Sequence, residues 1–168
     1  SEIGGQFNVA KQIPGKEEFY ETLRYFGKRI ELTGVKLELG RKVAAQDLLA
    51  GGFKQVVLAT GIVPRVPEIE GVDHSKVLSY LDVLRDKKPV GKSVAVIGAG
   101  GIGFDVSEYL LHEGVSPSLD KAKFFAEWGV DTTGTNRGGL QAAELGEIPR
   151  KIYLLQRKTS KVGEGLGK

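Results

Sequence analysis

The sequence predicts an α/β chain, and three observations predict it. After Ser93, Val94-Ala-Val-Ile97 is an apolar run that meets a glycine turn, Gly98-Ala-Gly100-Gly-Ile-Gly103, and then a stretch from Phe104 to Leu111 that can continue as a helix. Upstream, a pattern with helical period is followed by one that alternates every second residue. Downstream, Ile152-Tyr-Leu-Leu155 supplies a second short apolar strand for the glycine unit. Strands alternating with helical patterns argue for βα units and a parallel sheet.

From the amino terminus, Ile3 to Pro14 reads as a glycine-containing loop. Between Gly15 and Thr33, Phe19, Leu23, Phe26 and Ile30 recur at spacings of four, three and four, which is one face of a helix. Gly34 stands where that helix should stop, after Lys28 and Arg29 in its last turns. Val35, Leu37 and Leu39 alternate with Lys36 and Glu38, as in a half-buried strand. Gln55-Val-Val-Leu-Ala59-Thr60-Gly61 reads as a further short strand, ending in small residues that would let backbone approach a ligand. Ile62 to Gly71 contains Pro64 and Pro67, a composition for an extended, semi-rigid crossover.

A domain boundary is expected in that crossover: residues 1–62 form one lobe, 63–92 a crossover linker and helix, and 93–168 a second lobe. Val77, Leu78, Leu81 and Leu84 place a short helix before a turn at Pro89–Gly91. Beyond the glycine unit, Gly114 to Leu119 is loop-like and Leu119 to Trp128 can form a short helix. Thr132 to Gly146, rich in Thr, Gly, Asn and Ala, reads as an irregular insertion. No repeat of fixed period is present.

Composition limits what such a chain can do. Its 168 residues, 40% of them hydrophobic, suffice for a real core in one domain or two small lobes. The balance of 24 basic against 21 acidic residues, net +3, argues for neither nucleic acid nor a membrane surface as partner. No apolar run reaches the roughly 18 residues of a spanning helix, and no signal peptide is recognisable, so the chain reads as cytoplasmic. Without cysteine it holds no disulfide, no thiol nucleophile and no cysteine-ligated metal or cluster. Any redox step would need a bound organic cofactor. The opening Ser-Glu-Ile-Gly-Gly, without an initiator, suggests a piece of something longer.

The glycine spacing G-x-G-x-x-G carries a specific mechanism. Gly98 allows the tight turn, Gly100 lets backbone approach a pyrophosphate, with Gly101 beside it, and Gly103 lets the helix pack closely on the strand. The pyrophosphate would rest on unpaired N–H groups at the positive end of the helix. A plain strand-to-helix turn without ligand is the alternative. The expected fold is therefore a Rossmann-like, dinucleotide-binding lobe.

The identity of the nucleotide turns on the residue after the second strand. In the NAD form of this fold a carboxylate about twenty residues beyond the glycines binds the ribose. Asp120 lies near that count, but no strand precedes it, and a helix-start acid is the better reading. With Ile152–Leu155 as second strand, Gln156, Arg157 and Lys158 stand at its end instead. A carboxylate there would repel a 2′-phosphate; an Arg-Lys pair attracts one, which favours NADP(H) over NAD. The competing reading is a solvated basic turn.

Several stretches together resemble one family. Gly4-Gly-Gln6-Phe-Asn-Val-Ala-Lys-Gln-Ile-Pro-Gly-Lys16, Ala59-Thr-Gly-Ile-Val-Pro-Arg65, Val77-Leu-Ser-Tyr-Leu-Asp-Val-Leu-Arg85, the Gly98–Asp105 loop and Leu155-Gln-Arg-Lys158 resemble the bacterial NADPH-dependent 2,4-dienoyl-CoA reductases over essentially the whole chain. Members of that family join an FMN-containing TIM barrel and a four-iron (4Fe-4S) cluster to an FAD lobe and an NADPH lobe. The resemblance implies a partial FAD-binding lobe of the two-dinucleotide flavoprotein type, its own glycine fingerprint expected before Ser1, followed by the NADP(H)-binding lobe. By the same resemblance Gln6 would contact FAD, Lys16 would lie near its phosphates or ribose, the Val43 backbone would face the adenine, and Ala59, Thr60 and Gly61 would pass the flavin. Hydride would travel from NADPH to FAD, then electrons through the cluster to FMN, which reduces the dienoyl-CoA of unsaturated fatty acid oxidation. No side chain of this segment need act as acid or base, and its partners would be the cofactors and the remainder of the polypeptide.

Other chemistries find little support. His74 and His112 are the only histidines, too few for a metal site without convergent ligands. Ser107 lacks the turn of a hydrolase nucleophile. Trp128, with Phe124 and Phe125, reads as packing for the insertion rather than as a base-stacking platform. Beside the flavoenzyme stand a self-contained NADP-binding module and an interaction segment with an empty glycine loop. Within the enzyme class, flavin monooxygenases and glutamate-synthase-like reductases share the two-dinucleotide plan.

Overall fold

A computed structural model describes residues 2–164 and 166. The expected lobe ranges reach Ser1 and Lys168, and those ends lie outside the described residues. Two strands, β1 (Ser93–Ile97) and β2 (Lys151–Leu155), pair in parallel, with Ser93 opposite Lys151 and Ile97 opposite Leu155. A parallel pair needs a long crossover. Here it contains the helix Gly101–Leu111, a short 3₁₀ turn, the helix Lys121–Glu127 and an irregular stretch. In each strand the second and fourth residues are half-buried and the other three exposed, the two-residue period of one covered face.

Four helices precede the strands: α1 (Phe7–Ala10), α2 (Glu18–Leu32), α3 (Ala45–Ala50) and α4 (Tyr80–Leu84); α5 (Gly101–Leu111) and α6 (Lys121–Glu127) lie in the crossover. The buried core is Val9, Ile13, Val83, Leu84, Val106 and Leu110, drawn from α1 and its following turn, α4 and α5. Val94 and Ile152 of the strand pair pack against it. The amino-terminal segment thus shares a core with the helix that follows the glycine loop.

The local chemistry explains where the elements start and stop. Residues 3–14 are not the loop expected: Val9 and Ile13, four apart, turn one face inward, and Phe7 meets Phe19 edge-on at 4.8 Å between ring centroids. Helix α2 ends as its glycine foretells. Gly34, at φ 68°, lets its own N–H reach Glu31 O (3.2 Å) and the Val35 N–H reach Ile30 O (3.1 Å), which satisfies two terminal carbonyls. Helix α3 carries no strong apolar period and went unanticipated; the Asp47 carboxylate accepts the Ala44 N–H at 2.8 Å and opens it.

Helix α4 begins at Tyr80 rather than Val77 because Ser79 and Asp82 cap it reciprocally. Asp82 N–H donates to Ser79 Oγ (3.2 Å), and Ser79 N–H to Asp82 Oδ2 (2.8 Å). The Asp82 carboxyl, hydrogen-bonded by Lys88 and Ser79, is held well below the usual carboxylate range. The reversal expected at Pro89–Gly91 comes earlier, where the Asp86 N–H reaches Leu81 O and the Lys88 N–H reaches Asp82 O.

Two expected strands do not form. Residues 35–39 and 55–61 take no regular structure and have no ladder partners among the described residues. Their apolar side chains stay in solvent, with Val57 88% and Leu58 80% exposed. Alternation or an apolar run makes a segment able to pair, but a strand exists only where another supplies the ladder. The crossover 62–71 is irregular, as its prolines require, and so is the insertion 132–146 apart from a 3₁₀ turn at Arg137–Gly139 and an isolated antiparallel bridge from Leu140 to Val130. No helix among the described residues is long and apolar enough to cross a membrane.

Candidate functional site

The site begins where β1 ends. Gly98 N–H donates to Leu155 O at 2.8 Å, one step past the strand ladder, so the glycine turn and the carboxyl end of β2 are joined directly. Gly98 takes φ 117°, a conformation that a side chain resists. Gly100, extended at φ −92°, leads into α5, whose first internal bond is Phe104 N–H to Gly100 O (3.1 Å). The N–H groups of Gly101, Ile102 and Gly103 precede that bond and keep no partner within the helix.

Gly103 is buried against the turn it follows. A Cβ there would collide with the Gly98 carbonyl oxygen and stand 2.9 Å from Gly98 C. By contrast, a Cβ built at Gly98, Gly100 or Gly101 would meet no atom within 4 Å. The loop is closed toward the strand and open outward, the shape that a backbone-bound phosphate needs. Ser107 Oγ donates to Gly103 O (2.8 Å) inside α5, so its hydroxyl supports the helix.

Gln156, Arg157 and Lys158 follow β2 and hence leave the same edge of the sheet as the glycine turn. The Gln156 amide folds back to donate to Lys158 O (3.0 Å) and to Ser160 O. It therefore shapes the turn that carries the two cations. Arg157 and Lys158 are exposed, and neither makes an ion pair among the described residues. Asp120, the other nucleotide candidate, caps α6 by accepting the N–H groups of Ala122 (3.0 Å) and Lys123 (3.1 Å).

Of the residues expected near a flavin, Gln6 and Lys16 find partners in different elements. Gln6 Oε1 accepts the Tyr80 hydroxyl at 3.2 Å, which ties the start of α1 to α4. Lys16 Nζ donates to Asp105 Oδ1 at 2.6 Å and so reaches the helix opened by the glycine loop. Val43 lies exposed before α3. Ala59, Thr60 and Gly61, expected as a strand end, are exposed and irregular, and no hydrogen bond among the described residues joins them to the loop. Sequence reasoning missed Asp105, because a partner 89 residues away leaves no local signal.

Neither histidine gathers ligands: His74 Nδ1 accepts the Lys76 N–H (3.2 Å), and His112 Nε2 lies 3.3 Å from Gly114 O. No three His, Cys, Asp or Glu side chains converge among the described residues. Trp128 tilts against Phe124, with ring centroids 5.8 Å apart.

Comparison with known proteins places this geometry. The chain is 33% identical over 117 residues to the bilirubin reductase of Mediterraneibacter gnavus (strain CC55_001C), a match covering 70% of this chain and 18% of that protein. To the cinnamate reductase of Clostridium sporogenes it is 32% identical over 113 residues, covering 67% and 16%. The chain thus spans less than a fifth of the length of these relatives. A solved 2-naphthoyl-CoA reductase in complex with 2-naphthoyl-CoA superposes with a TM-score of 0.62 at 22% identity, over 99% of this chain and 30% of that one, and so shares its fold. Residues 4–128 match the family described as pyridine nucleotide-disulphide oxidoreductase. The strand, glycine turn and helix are thus the FAD/NAD(P)-binding, Rossmann-type fold of the pyridine nucleotide-disulphide oxidoreductases, and the chain belongs to that family.

Proposed function

We propose that this chain is the NADPH-receiving part of a multi-cofactor flavoprotein that passes hydride to FAD for reduction of the conjugated double bonds of a 2,4-dienoyl-CoA. Family membership supports FAD and NAD(P)H as the cofactors. Two similar proteins, a cinnamate reductase and a 2-naphthoyl-CoA reductase, carry names that agree with an unsaturated or CoA-linked acceptor. The resemblance of the collinear motifs from Gly4 to Lys158 to the dienoyl-CoA reductases supports a dienoyl thioester as the acceptor.

The observation that carries the reading is the bond from Gly98 N–H to Leu155 O, which sets the phosphate loop beside the turn bearing Arg157 and Lys158. The diphosphate would rest on the opening amides of α5. The 2′-phosphate would take a fork from Arg157 and a point charge from Lys158. FAD would lie toward Gln6, Lys16, Val43 and Ala59–Gly61, in a lobe of residues 1–62 joined by 63–92 to the NADP(H) lobe of 93–168. Lys16 has three donors, so it could hold Asp105 and a phosphate together. The FMN and 4Fe-4S cluster of the dienoyl-CoA pathway would bind elsewhere in the polypeptide, since this chain has no cysteine to hold a cluster.

Titrating Arg157→Ala with NADPH and with NADH tests the assignment. A charge-assisted hydrogen bond is worth about 1.5–3 kcal/mol, so NADPH affinity should fall about ten- to a hundredfold. NADH affinity should hardly move; equal losses for both coenzymes would defeat the reading.

A further inference from the structure

We propose that the cavity at the amino ends of β1 and β2 is a second anion site, one that takes a phosphoryl-bearing ligand of nucleotide size. It is separate from the glycine loop. Val90 and Arg150 in its wall precede the two strands, whereas Gly98 and Gln156 follow them. Its volume is about 610 Å³, within the range of small-molecule sites, about 300–1,000 Å³.

The charge in the wall is unevenly committed. Its cations are Lys11, Lys87, Lys88 and Arg150, and its carboxylates are Glu17 and Glu113. Lys88 is taken by Asp82 at 2.5 Å, and Lys11 pairs with Glu2 at 3.8 Å and donates to Asn8 at 2.8 Å. Burial pushes the Glu17 carboxyl up, but hydrogen bonds from Ser116, Ser118 and nearby backbone outweigh it and hold the group below the usual carboxylate range. The Glu17 charge is therefore turned to those serines. Glu113 is largely exposed, 3.7 Å from Arg150 Nη1.

Among the described residues, Lys87 is left without a carboxylate, and Arg150 has only the exposed Glu113. Lys87 Nζ donates to two neutral groups, Gln12 Oε1 (3.0 Å) and the Tyr109 hydroxyl (3.2 Å), and makes no ion pair among the described residues. Its backbone stands at φ 54°, the only non-glycine residue in the left-handed region among those described. Strain of this kind persists only where surrounding contacts impose it. Arg150 Nη1 donates to Leu110 O at 2.9 Å, leaving the rest of the guanidinium without a protein hydrogen bond among the described residues. Tyr109 and Leu110 are consecutive in α5, so one helix fixes both cations. A fork and a flexible ammonium in the wall of one cavity suit a phosphoryl group, and the Tyr20 and Tyr109 rings also line it.

The test is calorimetric titration of the full chain with ADP and with inorganic phosphate, in a Gly100→Val background. That substitution fills the open side of the glycine loop at an extended backbone position and removes it as a competing site. One saturable ADP site should remain. Lys87→Gly should weaken it tenfold or more, and glycine accepts the positive φ, so the fold is kept. Arg150→Met should do the same. ADP should bind more tightly than phosphate; equal affinities overturn a ligand of nucleotide size. Absence of saturable binding in the Gly100→Val chain, or binding indifferent to both cavity substitutions, overturns the site itself.

Discussion

Lys16 Nζ and Asp105 Oδ1 lie 2.6 Å apart, an ion pair that fastens the turn before α2 to the second turn of the glycine-loop helix. Both side chains are partly exposed, 38% and 29%, so solvent screens much of the attraction. Exposed pairs are worth about 0.2–1 kcal/mol. We expect Asp105→Asn to lower stability within that range, and the charge-swapped Lys16→Asp/Asp105→Lys chain to recover part of the loss. Urea unfolding of the two single variants and the double gives the coupling directly, and strict additivity would show that the contact contributes nothing.

Gly103 and Gly101 make a sharper contrast. A methyl group at 103 would meet the Gly98 carbonyl, which is backbone and cannot swing aside. Helix and turn would have to separate, an overpacking cost of about 1–3 kcal/mol. At 101 the same methyl group meets nothing within 4 Å, and in a helical position alanine gains up to about 1 kcal/mol over glycine. Gly103→Ala should therefore melt lower than the parent chain and Gly101→Ala no lower. A Gly103→Ala chain of undiminished melting temperature would refute the packing role.

What could be read beforehand depended on how local the cause was. Helix α2 with its Gly34 stop, the glycine turn into α5 and the Asp120 cap are fixed by neighbours in sequence and were legible there; β1 and β2 were legible as well, and each found its ladder partner in the other. The segments 35–39 and 55–61 carry the side chains of strands but not the partner, and pairing is a tertiary property. Helix α3 rests on a single Asp47 contact, too weak a signal to stand out. Distance along the chain hid the rest. The Lys16–Asp105 bond, the Tyr80–Gln6 bond and the convergence of Lys87 on Tyr109 join residues separated by 89, 74 and 22 positions. The cationic cavity follows from that last convergence and was equally invisible.

Asp120 distinguishes a cap from a ribose ligand. Its carboxylate already accepts two amides at the start of α6, and alanine in its place leaves them unpaired. Loss of such a cap costs about 0.5–2 kcal/mol. Asp120→Ala should lower the melting temperature while leaving the affinities for NADH and NADPH in place. A selective loss of NADH affinity would instead put the aspartate at the ribose.

Asp131 gives the insertion a pH dependence. Its carboxylate accepts the Thr133 hydroxyl (2.6 Å), the Asn136 N–H (2.7 Å) and the Thr133 N–H (2.8 Å), with Thr135 Oγ1 at 3.3 Å. These hydrogen bonds hold its carboxyl well below the usual carboxylate range in the folded chain. Once the turn opens, the group returns to an ordinary aspartate value of about 3.9. Below that value the open state binds the extra proton and the closed state does not, so acidification favours opening; above it the stabilisation is fully present. Amide hydrogen exchange at Thr133 and Asn136, corrected for intrinsic rates, should lose protection as the pH falls below about 4. In Asp131→Asn the side chain has one oxygen acceptor in place of two and nothing to titrate. Those amides should then be weakly protected at every pH, with no acid-dependent step; an unchanged step in that variant would assign the transition to another carboxylate.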